Sequence, residues 1–230
     1  MKIDVWSDYA CPFCQIGEIR LREAIKELGL EDQTEIIPRA FEINPDAPIS
    51  TDVNGLATIA RRYRLPEASV REQFERIAEM GLADGIVLNQ IDTKHTNPFD
   101  ARRLMKLGLS TGDKNLIEKL NNALFEAFFV DNLNLADKDV LLERGMKAGL
   151  KKEDIMDVLS SDKFGAETRA DEYEDVRERG VSGVPYFIFE NGATASGALE
   201  KEEFKNILLN VARDPGGSSG SRCGRDGCEI

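Results

Sequence analysis

The chain has 230 residues, of which 41% are hydrophobic and 7% aromatic, and carries a formal charge of −12. That length and apolar share allow one or two domains with a real core and exclude wholesale disorder. The acidic balance repels phosphate backbones and argues against nucleic-acid binding. No run approaches the ~20 apolar residues that span a bilayer, and Met1 leads without a leader-like segment into alternating sequence, so a cytoplasmic setting away from membranes is expected.

Lys2 to Ser7 alternates apolar and polar side chains and reads as a strand. After Asp8-Tyr9-Ala10-Cys11-Pro12 the period changes. Cys14, Gly17, Leu21, Ala24, Ile25 and Leu28 recur at three- and four-residue steps, which places them on one face of a helix, and Gly29 is a natural stop. Glu35 to Ile43 reads as a second strand, in which Pro38 contributes no ladder donor. Strand, helix and strand at this spacing make a βαβ unit.

From residue 51 to 180 helical periodicity dominates, with five or six helices expected from ordinary helix lengths. Pro66 opens one that turns Val70, Phe74 and Ile77 inward. Asn97 and Pro98 read as a cap and first helical residue, and Asp113 to Val130 carries Leu116, Leu120, Leu124 and Phe128 on one stripe. Asp137 and Asp162 are further expected starts. Leu124, Phe125, Phe128, Phe129 and Trp6 are assigned to the core. Strand character returns at Pro185-Tyr186-Phe187-Ile188-Phe189, followed by the turn Glu190-Asn191-Gly192, a partner strand at Ala193 to Ser196 and an amphipathic helix from Leu199 to Val211. The economical reading is one α/β domain, residues 1–50 and 181–212, interrupted by an all-helical insertion over 51–180. Residues 213–230 read from their Gly/Ser-rich composition as a flexible tail ending in Cys223-Gly224-Arg225-Asp226-Gly227-Cys228.

The chemistry-bearing pair is Cys11 and Cys14, which follow a strand and open a helix. A cysteine there faces unpaired N–H groups and the positive end of the helix dipole, both of which favour the thiolate. Pro12 suits the first turn because no N–H is needed there. By this logic Cys11 is the attacker and Cys14, one turn in, resolves a mixed disulfide. Half of a zinc site, or two inert core cysteines, are the competing readings of an isolated C-x-x-C. Val184-Pro185 before the late strand is the second signal: a proline opening a buried strand has a reason if its bond is cis.

Together Cys11-Pro12-Phe13-Cys14, the helical insertion and Gly183-Val184-Pro185 before a strand–turn–strand–helix ending resemble the DsbA family of thioredoxin-like oxidoreductases. Ser7-Asp8-Tyr9-Ala10, Phe41-Glu42-Ile43-Asn44-Pro45 and Asn97-Pro98-Phe99-Asp100-Ala101 resemble its FrnE-like subgroup. The resemblance spans about residues 1–212. It implies a thioredoxin-like fold, a thiol–disulfide oxidoreductase or isomerase, Cys11 as nucleophile with Cys14 as partner, and Pro185 as a cis-proline beside them. It also implies that Val184 offers its backbone to an extended substrate. The expected partners are disulfide-containing or thiol proteins, with glutathione or a thioredoxin-type reductant as electron source. No cofactor and no metal are expected. Strongly oxidising periplasmic members carry histidine where this chain has Phe13, so weaker thiolate stabilisation and a less oxidising pair are expected.

Cys223 and Cys228 are a candidate second redox pair. The spacer behaves as a coil spanning ~15–20 Å, and Arg222 and Arg225 favour thiolates. A local disulfide or free thiols are the alternatives. Two other functions compete: a glutathione-dependent isomerase or transferase, whose members generally carry serine in place of the attacking cysteine, and a zinc-binding or chaperone-like protein. His95, the lone histidine, reads as a loop residue, and Glu42 as a surface carboxylate rather than a proton shuttle for Cys14.

Overall fold

The computed structural model describes residues 1–214, without the side chains at 174 and 175, so the Cys223 and Cys228 tail lies outside the described residues. Strand β1 (Lys2–Ser7) leads through a short loop into helix α1 (Pro12–Glu27), and a 3-10 turn (Glu31–Gln33) precedes β2 (Glu35–Ala40). Then come α2 (Gly55–Tyr63), α3 (Glu67–Ala83), α4 (Phe99–Ser110), α5 (Lys114–Phe129), α6 (Lys138–Ala148) and α7 (Lys152–Ser160). The short α8 (Gly165–Arg169) continues through a π turn (Ala170–Asp175) into α9 (Val176–Glu178). Strands β3 (Tyr186–Phe189) and β4 (Thr194–Ser196) and helix α10 (Lys201–Arg213) complete the described chain.

The four strands form one mixed sheet in the order β2-β1-β3-β4. β1 pairs in parallel with β2, from Lys2 opposite Glu35 to Ser7 opposite Ala40, and antiparallel with β3. β2 lies at the sheet edge with one neighbour, which is where Pro38 can sit without removing a needed donor. Gly29, at φ +64°, supplies the left-handed residue that ends the α1 turn.

Helix α1 stands between two cores. Leu21, Ala24 and Ile25 pack with Ile3, Val5, Phe187, Phe189 and Phe204 between the sheet and α10. Cys14 and Ile16, with Tyr9 and Cys11, join the helical core of Leu104, Leu120, Leu124, Phe125 and Phe128. A third cluster, Leu56, Ala60, Val70 and Phe74, holds α2 and α3 together. The aromatic residues read as core are buried: Trp6, Phe125, Phe128 and Phe129 are nearly free of solvent contact.

Several local expectations change. The stretch from 51 to 180 holds eight helical elements, α2 to α9, rather than five or six. The additional ones are short, α8 being five residues and α9 three, so their apolar periods are too brief to read. Helix α4 begins at Phe99 with Pro98 at the boundary; Asn97 still caps it, its Oδ1 accepting the Phe99 N–H at 2.9 Å. The helix read as opening at Asp162 opens at Gly165, after Phe164 adopts φ +62° and the Asp162 carbonyl accepts the Gly165 N–H. The second strand ends at Ala40, because the Ile43 N–H turns to the Asp8 carboxylate at 2.8 Å.

Candidate active site

Cys11 occupies the boundary position of α1 in an extended conformation, and Pro12 follows as the first helical residue. The Cys11 N–H is taken by the Asp8 carbonyl at 2.9 Å, and the Cys14 N–H by the Cys11 carbonyl at 3.1 Å. Both cysteines are free thiols. Cys11 is 6% exposed, at the rim, whereas Cys14 is fully buried one turn inward. Burial pushes the Cys14 thiol well above its ordinary range, and its hydrogen bond and charge interaction with Cys11 push the same way. The Asp8 backbone and the Ser7 hydroxyl pull it down. Cys14 therefore holds its proton tightly.

The loop between β3 and the preceding helices closes over this pair. The Cys11 Sγ lies 3.9 Å from the Val184 carbonyl oxygen, and the Val184–Pro185 bond is cis. Gly17 makes this approach of α1 sterically allowed: a Cβ there would stand 3.1 Å from Pro185 Cγ, 3.3 Å from Phe187 and 3.4 Å from the Ala198 backbone. The Phe13 ring is 37% exposed beside the rim and offers no hydrogen bond to either sulfur.

Asp8 fixes the loop that presents Cys11. One carboxylate oxygen accepts the Ala10 N–H at 3.0 Å. The other accepts the Ile43 N–H and the Arg102 guanidinium at 3.2 Å. Arg102 is buried and continues to Glu172 at 2.6 Å and Glu42 at 3.5 Å. Glu42 is not a surface carboxylate. Its side chain is 4% exposed, held by Arg102, Arg169 and the Tyr173 hydroxyl, and it takes no part beside Cys14. Glu18, four residues on from Cys14 along the same helix face, is also buried, and sequence reasoning passed over it.

A cavity of about 300 Å³ opens beside Cys11, walled by Pro12, Phe13, Ile43, Arg62, Tyr63, Phe74 and the segment around Thr93 to Thr96. His95 is a loop residue, as expected, and its loop forms part of this wall. Its ring stands edge-on to Phe128 with centroids 5.4 Å apart, and its Nε2 lies 3.2 Å from the Thr93 hydroxyl. Burial lowers its pKa to about 4, against the attraction of Asp8. Two larger clefts, of about 470 and 600 Å³, flank β2 away from the cysteines and hold no thiol. Among the described residues no three His, Cys, Asp or Glu side chains converge as a metal site, and no helix is long and apolar enough to cross a membrane.

Residues 2–209 match the model of the DsbA-like thioredoxin domain. The chain belongs to that family. The match runs through both ends of the sheet and the helices between, so the fold is thioredoxin-like with its many helices inside one family unit. A curated relative is the uncharacterized protein YwbO of Bacillus subtilis (strain 168), 27% identical over 218 residues, which cover 90% of this chain and 96% of that one. Among solved structures, a probable DsbA oxidoreductase of Streptomyces coelicolor is similar at a TM-score of 0.86 and 27% identity, over 100% of this chain and 99% of that one. The cytosolic disulfide reductase DsbM of Pseudomonas aeruginosa shares the fold at a TM-score of 0.62 and 16% identity, over 93% of this chain and 99% of that one. DsbM has also been solved with glutathione.

Proposed function

We propose that this family member is a thiol–disulfide oxidoreductase that works through Cys11 and Cys14. The observation that carries the reading is the placement of the Cys11 sulfur at the α1 N-terminus, 3.9 Å from the Val184 carbonyl and facing a cavity. Cys11 attacks one sulfur of a substrate disulfide and forms a mixed disulfide. Cys14 then attacks the Cys11 sulfur, a Cys11–Cys14 disulfide forms, and the substrate leaves as a dithiol. The Val184 backbone supplies a strand-like edge for a substrate backbone beside the attacked bond.

Phe13 leaves the Cys11 thiolate without a side-chain donor, so the pair is poised toward reduction or isomerisation of substrates in a reducing, cytoplasmic setting. Retention of both sulfurs favours this over glutathione-dependent isomerase or transferase chemistry. A cavity of about 300 Å³ with Arg62 on its wall suits a small thiol such as glutathione as the electron source.

The tail pair, Cys223 and Cys228, enters as an accessory dithiol. Helix α10 runs alongside α1 in the same direction: Glu200 meets Arg20, Lys201 meets Glu27, and Lys205 meets Glu27. It therefore leads the chain away from Cys11, and α1 alone is ~24 Å long at 1.5 Å per residue. The segment from residue 214 to 223 reaches at most ~32 Å fully extended, against a coil span of ~15–20 Å. Exchange with the Cys11 of its own chain thus requires near-complete extension, and exchange between molecules is the expected route.

The test is a disulfide-exchange assay on wild type, Cys11→Ser and the Cys223→Ser/Cys228→Ser variant. Catalysis is expected to vanish in the first variant. In the second it should persist at saturating external reductant. Undiminished exchange by Cys11→Ser removes the proposal.

A further inference from the structure

Asp8 places a buried carboxylate close to the attacking sulfur. Its carbonyl accepts the Cys11 N–H at 2.9 Å, and its carboxylate accepts the Ala10 N–H at 3.0 Å and the Ile43 N–H at 2.8 Å. At 2% exposure it has almost no water to screen it, and it lines the same cavity as Cys11. A negative charge there works against the positive end of α1, which faces the same sulfur. The counter-charge comes from 94 residues away. Arg102 of α4, also buried, sets its Nη2 at 3.2 Å from the Asp8 carboxylate and lines the cavity as well.

The guanidinium is anchored on its far side. Its Nη1 donates to Glu172 at 2.6 Å and to Glu42 at 3.5 Å, and Arg169 pairs with the same two carboxylates at 3.1 and 3.6 Å. The Tyr173 hydroxyl donates to Glu42 at 2.6 Å. The fork of Arg102 is thus divided: Nη1 serves the glutamates and Nη2 faces Asp8. Two other titratable groups look onto the cavity. His95 is neutral at ordinary pH, with its pKa lowered to about 4, and Arg62 donates to the Ile43 carbonyl at 2.7 Å.

We propose that Asp8 and Arg102 form a charge pair that sets how readily Cys11 becomes the attacking thiolate, with Arg102 cancelling a carboxylate that is needed to hold the loop. This rests on the assignment of Cys11 given above and deepens it. Both are positioning residues, since they act on Cys11 through the loop and through their field rather than by bonding its sulfur. The charge pair and a purely loop-fixing role predict different signs. A loop that merely loosens takes the sulfur off the α1 N-terminus, so the thiolate is disfavoured whichever partner is removed. A charge pair responds in opposite directions: without Arg102 the bare carboxylate disfavours the thiolate, and without the Asp8 charge the guanidinium favours it.

The experiment follows alkylation of Cys11 by iodoacetamide, an uncharged reagent, in the full-length reduced protein as a function of pH, with the modified peptide identified by mass. The pH of half-maximal rate is expected to rise by about one unit in Arg102→Gln and to fall by about one unit in Asp8→Asn, which is about a tenfold loss and a tenfold gain of thiolate at a fixed lower pH. Arg102→Lys keeps the charge and gives up the fork, so it should stay near the wild-type midpoint even if it unfolds more easily. Shifts of the same sign in Arg102→Gln and Asp8→Asn, or no shift in either, overturn the proposal, as does an Arg102→Lys midpoint equal to that of Arg102→Gln. Should Arg102→Gln fail to fold, a lowered midpoint in Asp8→Asn with a wild-type midpoint in Arg102→Lys upholds the proposal, and a raised or unmoved Asp8→Asn midpoint overturns it. A protein that shows the expected shifts yet exchanges no disulfide would instead overturn the assigned oxidoreductase function and leave the charge pair standing.

Discussion

Replacing the lone histidine is expected to flatten the acid limb of the stability curve. His95 packs edge-on against Phe128 in the cavity wall, and burial lowers its pKa from 6.5 to about 4. The native state therefore takes up the proton later than the unfolded chain does. Its contribution is fully present above the ordinary value and is lost as pH falls through the folded one. At roughly 1.4 kcal/mol per pH unit the shift amounts to about 3 kcal/mol in total, of which about 2 kcal/mol is gone by pH 5. Between pH about 7.5 and pH about 5, wild type should lose about 2 kcal/mol more than His95→Gln, read from urea unfolding at each pH. Because the chain contains one histidine, its imidazole resonance can be followed without assignment. A midpoint near the ordinary value, or parallel stability curves for the two proteins, would show a solvated ring and refute the reasoning.

Three further outcomes follow from the same geometry. Phe13→His places a donor beside the Cys11 sulfur and should make the pair more oxidising, seen as a less negative midpoint in redox titration against glutathione; an unchanged midpoint would mean that this position does not tune the thiolate. Gly17→Ala forces a methyl to 3.1 Å from Pro185 and should cost about 1–3 kcal/mol while slowing exchange, and a variant with wild-type denaturation and turnover would contradict the close packing. Glu18 is raised by burial, so its contribution to stability is present below the ordinary carboxylate range and lost as pH rises through the folded value. Glu18→Gln should gain on wild type between mildly acidic and mildly alkaline pH in thermal unfolding, and a stability difference that ignores pH would refute the raised carboxyl.

Much of the site was legible because its signals are local. Cys11-Pro12-Phe13-Cys14 sits where a period-2 run gives way to a period of three to four, and that change alone marks a strand handing over to a helix N-terminus. Asn97, Asp113 and Asp137 announce their helices through side-chain oxygens that reach N–H groups two or three residues on. Glu42 was misread, and the burial of His95 in its loop went unread, for the opposite reason. Each is a polar residue in a loop context, and its burial depends on partners distant in sequence: Phe128 for one, Arg102 and Arg169 for the other.

Glu18 shows the boundary most clearly. Its place on the Cys14 face follows from helix periodicity, but a glutamate among charged neighbours reads as solvated until Asn121, brought by α5, and Ser7, brought by β1, close over it. The sequence by itself determined the strand–helix junction, the two cysteines on it and the proline before the late strand, since each depends on a few neighbouring residues. The tertiary structure alone decided which groups far apart in sequence meet there, the Val184 carbonyl at Cys11 and Arg102 at Asp8 among them. Burial and charge pairing are properties of what the chain packs against, and no local pattern encodes the far side of a contact.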